Sequence, residues 1–285
     1  MTAAPAVRAL ECASSAAHPV SLSHVMSQAP LLARFDEVYL VPADVFVDFA
    51  AQLTDPRRGR ESFRALDIGG LRCFGYHSVY YDTAGLRTYH DHRQGRRKRF
   101  KIRERCYQDS GERQFEVKLK GKRGETLKYR VPLTPSAPAL GDVPRRFLVE
   151  TLRSAYGIEP PETLVPSLLT DYRRVTLVAD GQRVTCDAGL ACRTYAGGPG
   201  GPARPVVRGA GDLVLVETKS TGRSTQAHRM LHRYGIRPAE FTKYAALAAL
   251  RPTLSGNRWR RALRQVFPAT ATQPGRDADR PDGAT

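Results

Sequence analysis

Basic side chains recur at every second position of the segment Arg99–Tyr107. Because successive side chains of a β-strand point to opposite faces, Arg99, Lys101, Arg103 and Arg105 share one face of this predicted strand. No acidic residue of the segment lies on that face. Arginine suits phosphate because its planar guanidinium donates two parallel hydrogen bonds to phosphate oxygens. The spacing therefore predicts a strand face that binds a chain of phosphates.

Other predicted strands also carry charge on one face, with a few acids scattered among the bases. The charged positions are Glu116, Lys118 and Lys120; Lys128 and Arg130; Arg183 and Asp187; and Glu217 and Lys219, the last pair on a face shared with Leu213 and Leu215. Asp36, Glu116 and Glu217 are each isolated among basic residues. Carboxylates so placed are expected where a divalent cation lies between the protein and a polyanion, since such hard cations prefer oxygen ligands.

Two architectures explain sheets with one charged face. The first is an open antiparallel sheet whose polar face is in contact with water. The second is a closed barrel whose charged faces converge on its axis. Like charges on neighbouring strands repel, which disfavours a stripe of one sign on an open sheet. About eight strands enclose room for one slender ligand. We expect this barrel, although the alternation alone leaves the open sheet as an alternative.

The elements that would position these residues can be placed along the chain. Period-two alternation predicts about eight strands, at Arg34–Val41, His77–Asp82, Arg99–Tyr107, Gln114–Lys120, Thr126–Val131, Tyr172–Val178, Gln182–Asp187 and Asp212–Lys219. Helical patterns occupy Ala43–Leu53, Val143–Tyr156 and Ser224–Tyr234. The predicted fold class is α+β, a closed antiparallel β-barrel that forms a basic tunnel, with flanking helices.

Composition divides the chain into three parts. Residues 1–30 are rich in Ala, Ser and Pro and lack periodicity, so we interpret them as a disordered N-terminal lead. Residues 31–251 are predicted to form the one patterned domain, which contains a flexible Gly- and Pro-rich loop at 196–211. Residues 252–285 are interpreted as a helical extension followed by a disordered tail.

Net charge, cysteine content and hydropathy restrict the class of partner and the cellular compartment of the protein. A formal net charge of +17 predicts an anionic partner, which could be nucleic acid, a membrane surface or a phosphate-rich small molecule. The five cysteines are scattered and never in C-x-x-C spacing, which argues against disulfides and a zinc site and indicates reduced thiols in a cytoplasmic protein. We find no apolar run long enough to span a bilayer and no secretory signal pattern.

Several segments match, in order, the motifs of a known family. They are HSVYYDTAGLRTY at 77–89, KIRERCY at 101–107, FEVK at 115–118, DYRRVT at 171–176, RVTCD at 183–187, LVETK at 215–219 and FTKY at 241–244. Together they resemble the VTC domain, the polyphosphate polymerase domain of the vacuolar transporter chaperone complex. That domain belongs to the triphosphate tunnel metalloenzyme (CYTH-like) superfamily. The resemblance covers about residues 32–250, nearly all of the patterned region.

The resemblance implies a role for each matched residue. The implied catalytic residues are Lys243, Arg103, Arg105 and Glu217. The implied phosphate-binding residues are Lys101, Arg103, Arg105, Lys118, Lys128, Arg174, Arg183, Lys219 and Lys243. Glu217, with Glu116 and Asp36, is expected to hold Mn²⁺ or Mg²⁺. One position departs from the family pattern, because Val38 stands where the first strand usually carries a tunnel lysine.

The implied activity is transfer of the γ-phosphate of an NTP, with ATP expected, onto polyphosphate inside a metal-dependent tunnel. Hydrolysis of triphosphates by the same site, or binding of polyphosphate or nucleotide without catalysis, remain alternatives. The run Arg96–Arg99 is interpreted as a rim that attracts anions, with a nucleic-acid patch as the alternative. A narrow tunnel is expected to exclude a duplex. The sequence leaves open the oligomeric state and whether a membrane protein is a partner.

Overall fold

The computed structural model describes residues 3–28, 33–179, 181–195, 206–220 and 225–268, and it has α+β architecture. Its strands are β1 (Pro19–Ser21), β2 (Ala33–Pro42), β3 (Arg64–Asp67), β4 (Cys73–Asp82), β5 (Phe100–Tyr107), β6 (Arg113–Lys120), β7 (Thr126–Leu133), β8 (Val165–Ala179), β9 (Gln182–Thr194), β10 (Val206–Arg208) and β11 (Leu213–Ser220). Its helices are α1 (Pro5–Ala16), α2 (Leu22–Gln28), α3 (Ala43–Leu53), α4 (Arg87–Arg93), α5 (Asp142–Tyr156), α6 (Gln226–Arg233), α7 (Ala246–Leu250) and α8 (Arg260–Val266).

Eight antiparallel strands close into a barrel, as the alternation and the resemblance predicted. The strand order is β8-β4-β5-β6-β7-β2-β11-β9, and β9 pairs again with β8 to complete the circle. The short strands β1, β3 and β10 extend this sheet outside the barrel. Closure turns one face of every strand inward, so the basic faces predicted from the sequence meet across a common interior, here called the bore.

The circle of strands is completed at a seam between β2 and β7. Among the described residues, β2 pairs with β7 at Ala33↔Leu127 and Arg34↔Thr126, and it pairs with β11 from Phe35 to Pro42. Beyond the seam, the backbone N–H of Ala239 donates to the carbonyl of Val38 at 2.7 Å. The segment at 238–239 therefore takes the place of β7 as the neighbour of β2.

Apolar residues fill the outer layer and one side of the bore. The outer layer has α1, α3 and α6 packed on one part of the barrel wall, around Phe46 and Phe49, and α5 packed on β5, β6 and β7. Inside, Leu168, Leu215, Tyr244 and the residues of α7 and α8 belong to one buried cluster. The charged part of the bore is therefore bounded by a packed apolar core.

The interpretation of residues 1–30 as a disordered lead is wrong for residues 5–28. These residues form α1, β1 and α2, and Ala6 and Leu10 of α1 are fully buried. Positions 6 and 10 lie on the same face of a helix, but the small residues around them hide this stripe. At the other end, α8 lies within the predicted extension, and residues 269–285 lie outside the described residues.

Other expectations concern cysteines, the long loop and membranes. All five cysteines are free, as predicted. Part of the predicted flexible loop, residues 196–205, lies outside the described residues, and residues 206–208 form β10 rather than loop. In the described part of the chain, no helix is both long and apolar enough to cross a bilayer.

Candidate functional site

The first charged group of the bore surrounds Glu116 of β6. This carboxylate accepts a hydrogen bond from Nε of Arg103 at 2.6 Å, contacts Nζ of Lys128, and lies 3.9 Å from Nε of Arg105. Glu116 is almost completely buried. Although burial raises the pKa of its carboxyl, Arg103, Arg105 and Lys128 hold the pKa well below its usual range. Glu116 is therefore an ionised anchor that fixes three predicted phosphate ligands.

The second group contains Asp36 of β2 and Glu217 of β11. Nζ of Lys118 lies 2.9 Å from Oδ2 of Asp36 and 3.8 Å from Oε1 of Glu217. Lys219 donates to the other oxygen of Glu217 at 2.7 Å, and Arg34 donates to Oδ1 of Asp36 at 2.7 Å. Because Lys118 is on β6 and Glu217 on β11, these contacts cross the bore. Burial opposes ionisation of Glu217, but Lys219 and Lys118 keep its pKa well below the usual range.

The third group is centred on Asp187 of β9. Arg174 of β8 donates to both of its oxygens, at 2.5 and 2.7 Å, and Nζ of Lys243 contacts Oδ2. Despite burial, which raises the pKa of a carboxyl, Arg174 and Lys243 lower that of Asp187 to about 2. The ion pairs hold the guanidinium and the ammonium in fixed positions on the bore wall.

Tyrosine rings join the first and third groups. Arg105 donates to the hydroxyl of Tyr172 at 3.3 Å, and Nζ of Lys243 lies 4.5 Å from the centre of the Tyr172 ring. The guanidinium of Arg174 lies 5.0 Å from the ring of Tyr76, which stacks on Tyr172. Cations attracted to aromatic faces keep their charge while losing water. The rings thus hold these bases away from solvent without neutralising them.

Lys243 reaches the bore through an anchored turn. The hydroxyl of Tyr244 donates to Oδ2 of Asp82 at 2.5 Å. Asp82 also accepts hydrogen bonds from the backbone N–H groups of Thr88 and Tyr89, in the first turn of helix α4. Two motifs that are far apart in the sequence, SVYYD and FTKY, therefore meet at this carboxylate. Next to Lys243, the hydroxyl of Thr242 accepts a hydrogen bond from Nζ of Lys101 at 2.8 Å.

Several basic side chains of the bore have a pKa below the usual value for their type. Burial, only partly offset by Glu116, lowers the pKa of Lys128 to about 7, and burial likewise lowers that of Lys219 to about 8. The pKa of Lys101 is well below its usual range because of burial and the neighbouring Lys118. Burial and the guanidinium of Arg34 lower the pKa of Arg183. Burial is the main cause of each shift, and neighbouring cations add to it, so a bound anion would favour the protonated form of these bases.

The predicted phosphate ligands are thus distributed over all but two strands of the barrel wall. Lys101, Arg103 and Arg105 lie on β5, Lys118 on β6, Lys128 on β7, Arg174 on β8, Arg183 on β9 and Lys219 on β11, with Lys243 on the turn before α7. The register places Lys118 directly between Lys101 and Lys128 on adjacent strands. This row of ammonium groups suits a chain of phosphates lying across the strands.

The three predicted metal ligands do not form one site. Within the described residues, no group of three or more potential ligands from His, Cys, Asp and Glu could hold a metal ion. Glu116 is occupied by its own three bases, whereas Asp36 and Glu217 face the same ammonium group of Lys118. An ammonium between two carboxylates marks a place where a cation is stabilised. Asp36 and Glu217 are therefore two carboxylates that could together hold a divalent ion, since such ions prefer oxygen ligands.

No role was predicted for Asp187 from the sequence, although this acid contacts two predicted phosphate ligands, Arg174 and Lys243. It lies four residues after Arg183, on the same strand face, and this spacing was the available signal. The fold also shows what surrounds position 38. Val38 is the register partner of Glu217 and packs against the apolar cluster of the bore. The position beside Glu217 on the adjacent strand is therefore apolar where the family pattern expects a lysine.

Comparisons with known proteins give one family match and several similar solved structures. A family model described as VTC domain matches residues 51–251. No match is found among curated protein sequences. A putative adenylate cyclase from Bacillus halodurans is 13% identical in sequence, with a TM-score of 0.44 over 73% of this chain and 93% of that one.

Two further solved structures are similar at the same level. A putative adenylyl cyclase from Hippeastrum, whose description reports a dominant triphosphatase activity, is 13% identical, with a TM-score of 0.41 over 76% of this chain and 95% of that one. The PH1012 protein from Pyrococcus horikoshii is 9% identical, with a TM-score of 0.39 over 74% of this chain and 97% of that one.

Proposed function

The chain belongs to the VTC domain family, and from this premise we propose that it moves the γ-phosphate of an NTP, with ATP as the expected donor, onto a polyphosphate chain held in the bore. The observation that carries the proposal is the excess of cations in the bore over the carboxylates Asp36, Glu116, Asp187 and Glu217. A closed barrel with such an interior is stabilised by a bound polyanion, because like charges a few ångströms apart repel each other.

Phosphoryl transfer depends mainly on positioning and on neutralising charge. Arg103 and Arg105, held by Glu116, would bind oxygens of the transferred phosphate. Lys101, Lys118 and Lys128 would bind the acceptor chain, because they are adjacent on three strands. Arg174, Arg183 and Lys219, on the opposite wall, would bind the rest of the donor, and Lys243 would orient the acceptor.

Asp36 and Glu217 would hold Mn²⁺ or Mg²⁺ in this scheme. Either ion would supply positive charge that offsets the negative charge developing on the phosphate oxygens during transfer. Lys118 would then turn from the two carboxylates to a phosphate oxygen, since one cation replaces another between the same acids. Glu116 would keep its bases in place and would take no part in metal binding.

A product assay tests the activity. The protein is incubated with ATP and Mn²⁺, and the products are resolved on a gel that separates polyphosphate by length. We expect a ladder of polyphosphate, and release of orthophosphate alone would replace the polymerase with a triphosphatase. Tight binding of tripolyphosphate without any product would indicate that the protein binds polyphosphate but does not catalyse its synthesis. Glu217→Gln is expected to abolish the product, and an unchanged rate would reject the proposed metal site.

A further inference from the structure

Two strands of the barrel carry their basic rows beyond the bore. β5 and β6 pair in a register that sets Arg103 opposite Glu116 and Lys101 opposite Lys118. Counting one step further in the same antiparallel register sets Arg99 opposite Lys120. Lys120 is the last residue of β6 and shares the inward face of Lys118, whereas Arg99 immediately precedes β5, in line with the alternation of Lys101 and Arg103. Arg99 and Lys120, here called the outer pair, thus continue the cation row of the bore to its rim.

Hydrogen bonds hold the backbone of the outer pair in place at the rim of the barrel. The hydroxyl of Tyr156, at the end of α5, lies 2.9 Å from the carbonyl oxygen of Arg99. It also lies 2.7 Å from the carbonyl oxygen and 2.7 Å from the backbone nitrogen of Lys120. One side chain therefore fixes the backbone of both residues, and the guanidinium of Arg99 is held by the carbonyls of Gly95 and Arg96.

The outer pair belongs to the same electrostatic field as the bore. Burial and the nearby Arg258 lower the pKa of Arg99, and burial and Arg99 lower that of Lys120. The acids near Lys120 are Asp36 and Glu125, whose charges act in the opposite direction. The crowding of cations at this rim favours an anionic ligand there as well.

The length of the row decides which anion fits it. Alternate residues of a strand are about 6.8 Å apart, so the row from Arg105 to Arg99 spans about 20 Å. An extended triphosphate covers less than half of that distance. We propose that the outer pair is a phosphate subsite outside the bore, which binds the part of a linear polyphosphate that protrudes when its end is held inside. This inference rests on the proposed function for the ligand of the bore.

The experiment compares affinities for a long linear polyphosphate of narrow length distribution and for tripolyphosphate. In Arg99→Gln/Lys120→Gln, affinity for the long chain is expected to fall about 10-fold or more, whereas that for tripolyphosphate changes less than about twofold. The salt dependence of long-chain binding should weaken, because two phosphate contacts are lost. Lys120→Gln alone, which leaves the hydrogen bonds of Arg99 intact, should show a smaller loss of the same kind.

The matched control removes two exposed arginines from the outer wall. Arg229→Gln/Arg233→Gln, on helix α6, makes the same change in net charge and should alter neither affinity. An equal loss of both ligands in the outer-pair variant, or no loss of either, would overturn the subsite. The subsite would also be overturned if duplex DNA displaced the long polyphosphate chain as effectively as unlabelled polyphosphate does. Binding that follows the expected pattern without any turnover would uphold the subsite and reject the polymerase.

Discussion

Arg174 and Asp187 form a two-point ion pair inside the barrel, with hydrogen bonds of 2.5 and 2.7 Å between the guanidinium and the carboxylate. Both side chains are nearly inaccessible to solvent, and Lys243 contacts the same carboxylate. A predicted phosphate ligand is therefore held by an acid that the family resemblance did not assign. The pair binds strand β8 to strand β9 and fixes the position of the turn that carries Lys243.

Replacing Asp187 by Asn should destabilise the protein strongly. The change leaves the buried charges of Arg174 and Lys243 without their anion, and removal of one partner of a buried ion pair costs about 3–5 kcal/mol. Urea denaturation measures the free energy of unfolding. Glu159→Gln breaks an exposed pair with Arg153 and should leave the midpoint unchanged. Equal midpoints for Asp187→Asn and Glu159→Gln would show that the ion pair does not stabilise the fold.

The same carboxylate predicts a pH dependence of stability. The pKa of Asp187 is about 2 in the folded protein, compared with 3.8 for an unperturbed carboxyl. A lowered acid pKa stabilises the folded state above pH 3.8, and this contribution disappears as the pH falls through 2. The stability gap between the wild type and Asp187→Asn should therefore shrink between about pH 4 and pH 2. A constant gap across that range, measured by urea denaturation, would contradict the assignment.

The affinity for Mn²⁺ should depend on Glu217 much more than on Glu116. Glu217→Gln removes a carboxylate that shares Lys118 with Asp36, so the Kd for Mn²⁺ in the presence of tripolyphosphate should rise at least about 10-fold. Glu116→Gln should change the same Kd much less, because Arg103, Arg105 and Lys128 already engage that carboxylate. Calorimetric titration with Mn²⁺ gives both values. Similar losses in the two variants would restore the three-acid site that the sequence predicts.

Lys128 should make phosphate binding depend on pH. Its pKa of about 7 means that the side chain gains a proton, and with it a positive charge, as the pH falls from 8 to 6. Affinity for tripolyphosphate without metal should then increase by about 10-fold, since one charge-assisted hydrogen bond is worth about 1.5 kcal/mol. Protonation of tripolyphosphate itself affects Lys128→Gln equally. The ratio of the wild-type and variant affinities should therefore change with pH, and a flat ratio would reject the role.

Tyr156→Phe should loosen the rim of the barrel. The hydroxyl serves backbone groups of both Arg99 and Lys120, and leaving such groups without a partner costs about 1–3 kcal/mol. We expect lower stability in urea together with a weaker preference for long polyphosphate over tripolyphosphate. The control is Tyr129→Phe, because Tyr129 is exposed on β7. A variant that loses stability but keeps its full chain-length preference would show that Tyr156 does not position the outer pair.

The sequence predicted the barrel because alternation and charge act at the level of single strands. Once β5 and β6 are known to be strands, the inward direction of Arg103 and Lys118 follows from the two-residue period. The bounds of α3 were predicted without error, since its apolar positions recur with helical spacing. Helix α1 was missed because its buried positions are mostly small residues such as Ala6, which a disordered segment contains equally often.

The arrangement of the acids could not be predicted from the sequence. Glu116 and Glu217 occur in similar surroundings along the chain, each two residues from a lysine. They differ only in three dimensions, where Glu116 meets bases from β5 and β7 and Glu217 meets Lys118 from across the bore. Register and closure decide this difference, and no local pattern encodes them.

The position of β2, between β7 and β11, has a consequence for the order of folding. β5, β6 and β7 are joined by short turns, so their pairing is local and fast. β2 instead pairs with β11, and Thr218 contacts Glu37 across 181 positions of the chain. Such a distant contact forms late, because the intervening loop must first lose its entropy. Pairing of β2 with β7 at Arg34 and Thr126 involves the same strand, so closure of the circle should also be a late step of folding.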